Sequence, residues 1–223
     1  RTCVQAGGLR DVIIRLMVSR GPGGFTVNPY ECPRSQLYVF IYKLKTPTPQ
    51  AYEEGVTIVS VPVPVKPAFF ANIKSCAYLH NALTKKTAIE AGADYGVNWD
   101  ENGFLAEGAT ENVILVSPEG ELLHPGFERV LRGVTLARVL ALAENLTAEG
   151  LIKAVRTARI DRDLASRARE VMLAGTSLDV LPVTAWDGRR VGQGRPGPVA
   201  RRLLAAIRDD IAHNQDFLTP MFD

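Results

Sequence analysis

The 223-residue chain has little cysteine, little histidine and no excess of one charge. Its three cysteines, Cys3, Cys32 and Cys76, form neither a Cys-x-x-Cys pair nor an even set, which argues against a disulfide framework. The three histidines, His80, His124 and His213, lie far apart, so no metal site is expected. Lysine and arginine number 26 against 24 acidic residues, intermixed to a net charge of +2, and without a basic block nucleic acid is not an expected partner. Apolar stretches are broken by charge, proline or glycine well short of the roughly 20 residues that cross a bilayer. No signal-peptide pattern opens the chain, so a cytoplasmic location is expected, with no membrane partner. No internal repeat is found.

What is there suits a globular protein: 46% of residues are apolar and 22% charged, enough for one substantial core or two modest ones. The first part reads as strands over residues 12–19 and 37–44, separated by Gly21-Pro22-Gly23-Gly24 and closed by Thr46-Pro47-Thr48-Pro49. Residues 56–65 read as a further strand, which Pro62 and Pro64 push toward an edge or an extended crossover. A domain boundary is expected here, giving a smaller domain over 1–66 and a larger one over 67–223. Leu79, Ala82, Leu83 and Ile89 recur at helical spacing up to a stop at Gly92, so Lys74 falls just before a helix. Short strands over 95–99, 112–116 and 122–123 then read as an antiparallel meander. A helix over 135–144 presents Leu136, Val139, Leu140 and Ala143 on one face. Further strands are expected over 151–155, 171–174 and 180–183, and an amphipathic helix over 198–212.

Four separated segments carry chemistry. Lys74, in Ile73-Lys74-Ser75-Cys76-Ala77-Tyr78, is an amine that attacks an aldehyde only when neutral, and burial among Phe69, Phe70 and Ile73 would favour that form. In isolation such a lysine is ordinarily solvated. Glu107, in Glu107-Gly108-Ala109-Thr110-Glu111-Asn112, is a carboxylate beside small residues that leave room for a flat ring; Glu111 competes with it. Gly133-Val134-Thr135 at a helix start and Gly175-Thr176-Ser177 after an apolar strand offer N–H groups and hydroxyls suited to a phosphate or carboxylate, although Thr135 also suits a simple N-cap. Gly21-Pro22-Gly23-Gly24 lacks the Gly-Lys-Ser/Thr of a nucleotide loop.

In order and spacing these segments resemble the fold-type IV pyridoxal phosphate enzymes: branched-chain aminotransferases, D-amino acid aminotransferases and aminodeoxychorismate lyases. The likeness runs from about Val12 to the C-terminus. It implies a two-domain α+β fold (mixed α/β), of the D-amino acid aminotransferase type. It implies that Lys74 is the Schiff-base lysine, Tyr78 the tyrosine that often follows it, and Glu107 the partner of the ring nitrogen. Val130-Leu131-Arg132-Gly133-Val134-Thr135 matches the phosphate turn, placing Val134 and Thr135 on the cofactor. Gly175-Thr176-Ser177 matches a later segment serving phosphate or substrate carboxylate. The family's His-x-x-Arg motif has no counterpart here, so either the chain lacks its natural beginning, leaving the first domain incomplete, or it is a degenerate relative with weakened cofactor affinity.

The resemblance further implies a cytoplasmic homodimer acting on a small amino acid and a 2-oxo acid, with pyridoxal 5'-phosphate as cofactor. Arg15, in Val12-Ile13-Ile14-Arg15, sits where branched-chain enzymes have a strand arginine, and Gly24-Phe25-Thr26-Val27-Asn28-Pro29 resembles their Gly-Val-Asn-Pro stretch. These favour a branched-chain transaminase, with Arg15, Thr176 and Ser177 as substrate contacts. The short Lys74 to Tyr78 spacing instead resembles the lyases, which release pyruvate from aminodeoxychorismate, and the D-amino acid enzymes. Because the latter's Arg-x-His pair is missing, that activity ranks third. A non-catalytic binding relative is the alternative from another class.

Overall fold

The computed structural model describes residues 1–221 and divides them into two compact units, residues 1–46 with 215–221, and residues 47–214. The first contains α1 (Thr2–Gly7), β1 (Val12–Ser19) and β2 (Gln36–Lys43). The two strands pair antiparallel in unbroken register from Val12 opposite Lys43 to Ser19 opposite Gln36. The expected boundary after residue 66 is displaced to residue 46, because the strand that starts at Val56 joins the sheet of the second unit.

The second unit runs α2 (Pro49–Glu54), β3 (Val56–Ser60), α3 (Ala68–Ala71), α4 (Leu79–Glu90), β4 (Tyr95–Trp99), β5 (Leu105–Gly108), β6 (Asn112–Val116) and β7 (Leu122–His124). It continues with α5 (Val134–Ala148), β8 (Val155–Thr157), α6 (Arg162–Ser166), β9 (Glu170–Gly175), β10 (Asp179–Trp186), β11 (Arg189–Arg190) and α7 (Pro198–His213). The expected meander is present as β4, β5, β6 and β7, each antiparallel to the next. β9 pairs with both β6 and β10, while β10 continues through β3 to β4. These six strands close a ring, so none of them leaves an unpaired edge.

Closure explains why β6 is buried at all five positions. Val113 and Leu115 share one cluster with Val171, Leu173 and Leu181. Ile114 and Val116, on the other face, pack with Met172 and with Leu136 and Val139 of α5 and Leu203 and Ile207 of α7. Each such aliphatic side chain contributes about 1.5–3 kcal/mol by leaving water. Arg138 and Asp210 bind the two covering helices together through paired contacts of 2.7 and 2.5 Å.

Several expectations are corrected. The strand from Val56 ends at Ser60 and is internal, between β10 and β4; Pro62 and Pro64 follow it and interrupt no ladder. Leu151 and Ile152 form no strand, because their N–H groups close α5 by bonding Leu146 O, and α5 itself runs to Ala148. Thr48 and Pro49 start α2 rather than merely breaking the chain: Thr48 Oγ1 accepts the Ala51 N–H at 3.3 Å and proline occupies the first helical turn. α4 has the expected span but buries Thr84 and Ala88, leaving Leu79, Leu83 and Ile89 exposed. Gly96 on β4 permits this, since a Cβ there would stand 2.9 Å from Thr84 O.

Candidate active site

β5 and β6 form a tight hairpin in which Glu107 pairs with Asn112 and the Gly108 N–H donates to Glu111 O at 2.7 Å. Both side chains of that pair reach the same residue of a neighbouring turn. Glu107 Oε2 accepts the Leu131 N–H at 2.9 Å, and Asn112 Nδ2 donates to Leu131 O at 2.9 Å. The turn leads through Gly133 into α5, and a Cβ on Gly133 would lie 2.1 Å from Asn112 Oδ1, so any larger residue has to displace the Asn112 amide. Gly133 itself is the N-cap and offers no side chain, so Thr135 is the second residue of α5 rather than its cap. The helix start therefore presents N–H groups without a capping side chain, beside the Thr135 hydroxyl.

A cavity of about 270 Å³ opens here, and Lys74, Tyr78, Glu107, Val134, Thr135 and Thr176 all line it. Residues far apart in sequence are thus gathered on one surface. Arg15 and Ser177 do not line it. Arg15 lies in the first unit, on β1 opposite Phe40. Ser177 follows Thr176 in the turn between β9 and β10.

Glu107 is pushed above the usual carboxyl range, first by burial. The Leu131 N–H, Lys66 and Lys74 oppose that rise, while Glu111 adds to it. Oε1 of Glu107 carries no hydrogen bond among the described residues, so one acceptor remains open. Glu111 is differently placed: its two oxygens accept the Thr110 N–H at 3.0 Å and the Thr110 hydroxyl at 2.5 Å. Glu107 is consequently the carboxylate available to a ligand.

Two expectations about this region are corrected. Lys74 is exposed, and Phe69, Phe70 and Ile73 are 80%, 53% and 46% exposed, so this apolar run does not desolvate the amine. The space left by Gly108 is taken by the Glu111 carboxylate, which a Cβ would meet at 2.6 Å, rather than left for a ring.

Lys66 and Asn81 also line the cavity. The sequence held no signal for Lys66, which lies in the proline-rich connection after β3. Asn81 Nδ2 donates to Ala109 O, but its Oδ1 is buried without a partner. A buried acceptor lacking a donor at a cavity wall is a place for a ligand or water donor. Together with an amine, an open carboxylate and an uncapped helix start beside two hydroxyls, it makes up the kinds of group that pyridoxal phosphate requires.

Comparison with known proteins bears on the family and the fold. The profile described as Amino-transferase class IV matches residues 1–186. A chloroplastic D-amino-acid transaminase of Arabidopsis thaliana is 36% identical over 209 residues, covering 93% of this chain and 55% of that protein. A branched-chain-amino-acid aminotransferase of Pseudomonas aeruginosa is 37% identical over 133 residues, covering 60% of this chain and 41% of its own length. The chain thus spans about half the length of these curated relatives. A crystal structure of the T.th. branched-chain amino acid aminotransferase with pyridoxamine 5'-phosphate superposes with a TM-score of 0.86 at 28% identity, over 96% of this chain and 70% of that one. The α+β fold expected from the sequence is therefore the fold observed.

Proposed function

The chain belongs to the Amino-transferase class IV family, and from that premise we propose that it transfers an amino group between an amino acid and a 2-oxo acid, using pyridoxal 5'-phosphate at the Lys74 cavity. The observation that carries this reading is the convergence of Lys74, Glu107, Thr135 and Thr176 on one cavity, which core packing does not require.

When bound, the cofactor supplies an aldehyde and an electron-withdrawing ring. Lys74 Nζ supplies the amine that anchors it and the base that takes the substrate Cα proton. Glu107, ionised, holds a proton on the ring nitrogen. Lys66 and Lys74 favour that ionised state against burial. Thr135, Thr176 and the first amides of α5 hold the phosphate, with Val134 and Tyr78 contributing to the surrounding wall. With the Thr176 hydroxyl on the phosphate, the amides of the Thr176-Ser177 pair serve the substrate carboxylate; for Arg15 and Ser177 the support is the family resemblance alone.

Branched-chain aliphatic amino acids are the proposed donors, supported by the names of the Pseudomonas aeruginosa and T.th. proteins. The Arabidopsis thaliana relative's name supports D-amino acids as the second reading, ahead of its rank from sequence. A cytoplasmic homodimer completes the proposal, supported by the family resemblance. No helix among the described residues is long and apolar enough to cross a membrane.

The test is a donor and acceptor screen on purified protein with pyridoxal phosphate, using L-leucine, L-valine and D-alanine with 2-oxoglutarate or pyruvate. Amino transfer from the L-branched donors is the expected result. Transfer from D-alanine alone selects the second reading. Pyruvate release from aminodeoxychorismate without any 2-oxo acid makes the protein a lyase, and absence of all three overturns the assignment.

A further inference from the structure

A second cleft, of about 630 Å³, lies elsewhere in the large unit and shares no lining residue with the Lys74 cavity. Three arginines, Arg169, Arg195 and Arg201, line it, and its one carboxylate is Glu170. That carboxylate is committed: buried beneath the start of α7, it accepts the Val199 N–H at 3.0 Å and the Ala200 N–H at 2.8 Å. The helix terminus is thus already satisfied, and the groups left for a ligand are guanidiniums.

Unlike several other arginines of this unit, they are not held in ion pairs among the described residues. Elsewhere in this unit Arg129 pairs with Glu101, Arg138 with Asp210, Arg202 with Glu149 and Arg208 with Asp179. None of Arg169, Arg195 and Arg201 forms an ion pair among the described residues. The side chain of Arg195 bonds only a neutral amide, Gln193 Oε1, at 3.1 and 2.8 Å. All three side chains are exposed and Arg201 favours the ionised form of Glu170, so an anion entering the cleft meets three cations against one carboxylate.

The walls are built for close approach. A Cβ on Gly192 would stand 2.1 Å from Arg169 O, and one on Gly197 would stand 2.2 Å from the Glu170 carboxyl carbon. The backbone is therefore packed tightly around Arg169 and Glu170, which fixes the floor of the cleft. The volume lies within the range of small-molecule sites, and guanidinium forks match phosphate and carboxylate oxygens in pairs.

We propose that the cleft bounded by Arg169, Arg195 and Arg201 is a second ligand site, for a small anion bearing two or more phosphate or carboxylate groups. Its occupancy is independent of the Lys74 cavity and of the function proposed for it.

Titration calorimetry of the purified protein with pyrophosphate and, separately, citrate tests this and distinguishes the two anion chemistries. Saturable one-to-one binding of at least one probe is expected, weakened at least about tenfold by the double variant Arg169→Gln, Arg201→Gln. A companion variant, Thr135→Val with Thr176→Val, should bind the probe as the unaltered protein does. Absence of saturable binding at millimolar concentration overturns the proposal. So does binding that survives the arginine substitutions, or that is lost equally in the threonine variant, which would place the anion in the first cavity.

Discussion

Glu107 and Leu131 are joined by a hydrogen bond of 2.9 Å from the Leu131 N–H to Glu107 Oε2. Asn112, the register partner of Glu107, holds the carbonyl of that same residue. The carboxylate proposed for the ring nitrogen and the turn proposed for the phosphate are therefore parts of one braced unit. Disturbing either should be felt at the other.

Lys74→Ala should remove the visible absorbance above 400 nm that develops when the protein is incubated with pyridoxal phosphate. Turnover should fall on the order of 10²–10⁴-fold or more, the usual range for a lost acid–base group. Because Lys74 is exposed, the melting temperature without cofactor should hardly move. A variant that retains both band and turnover removes Lys74 from the chemistry.

Glu107→Gln should lower turnover yet stabilise the cofactor-free protein near neutral pH. Burial raises the Glu107 carboxyl above its ordinary 4.5, so the folded state binds its proton more tightly than the unfolded chain does. The destabilisation from keeping it ionised is present above the raised folded value and vanishes as pH falls through the ordinary carboxyl range. Thermal melts from pH 8 to pH 4 should show the advantage of the glutamine variant over the parent shrinking with acid. Lys66→Met should act oppositely, moving the Glu107 titration, followed by NMR of the carboxyl carbon, to still higher pH.

Gly133→Ala should destabilise the fold by about 1–3 kcal/mol, since the new Cβ displaces the Asn112 amide and strands the Leu131 carbonyl. Denaturant unfolding measures that loss. Fluorescence titration with pyridoxal phosphate should show weaker binding as well, and unaltered affinity would separate the turn from the phosphate.

Ser60→Ala tests the closed sheet away from the cavity's own residues. Ser60 Oγ accepts from Trp99 Nε1 at 2.9 Å and from Trp186 Nε1 at 3.0 Å, and donates to Asp187 Oδ2 at 2.7 Å. Its removal leaves two indole N–H groups without an acceptor, at about 1–3 kcal/mol. These are the only two tryptophans of the chain, so their emission spectrum should shift with the loss of stability.

Local signals were legible where chemistry and position coincide. The apolar runs in 112–116 and 171–174, the stripe of Leu136, Val139 and Ala143, and the glycine before the Val134-Thr135 pair led to the right elements. They failed where a long-range partner decides the outcome. Leu79, Leu83 and Ile89 have helical spacing yet face outward, because Gly96 admits Thr84 instead. Pro62 and Pro64 pointed to an edge or an extended crossover; the strand before them is internal, paired with β10, and both prolines lie in the connection that follows it.

The sequence by itself determined the cast of the candidate site, an amine at 74, a carboxylate at 107 and hydroxyls at 135 and 176 that line one cavity, because residue type and order are one-dimensional properties. Only the tertiary structure decided which carboxylate is open, that Lys66 and Asn81 join the wall, and that Lys74 is not shielded by its aromatic neighbours. Those outcomes depend on hydrogen bonds and burial between segments distant along the chain, and no local pattern of residues encodes which distant surface will close over them.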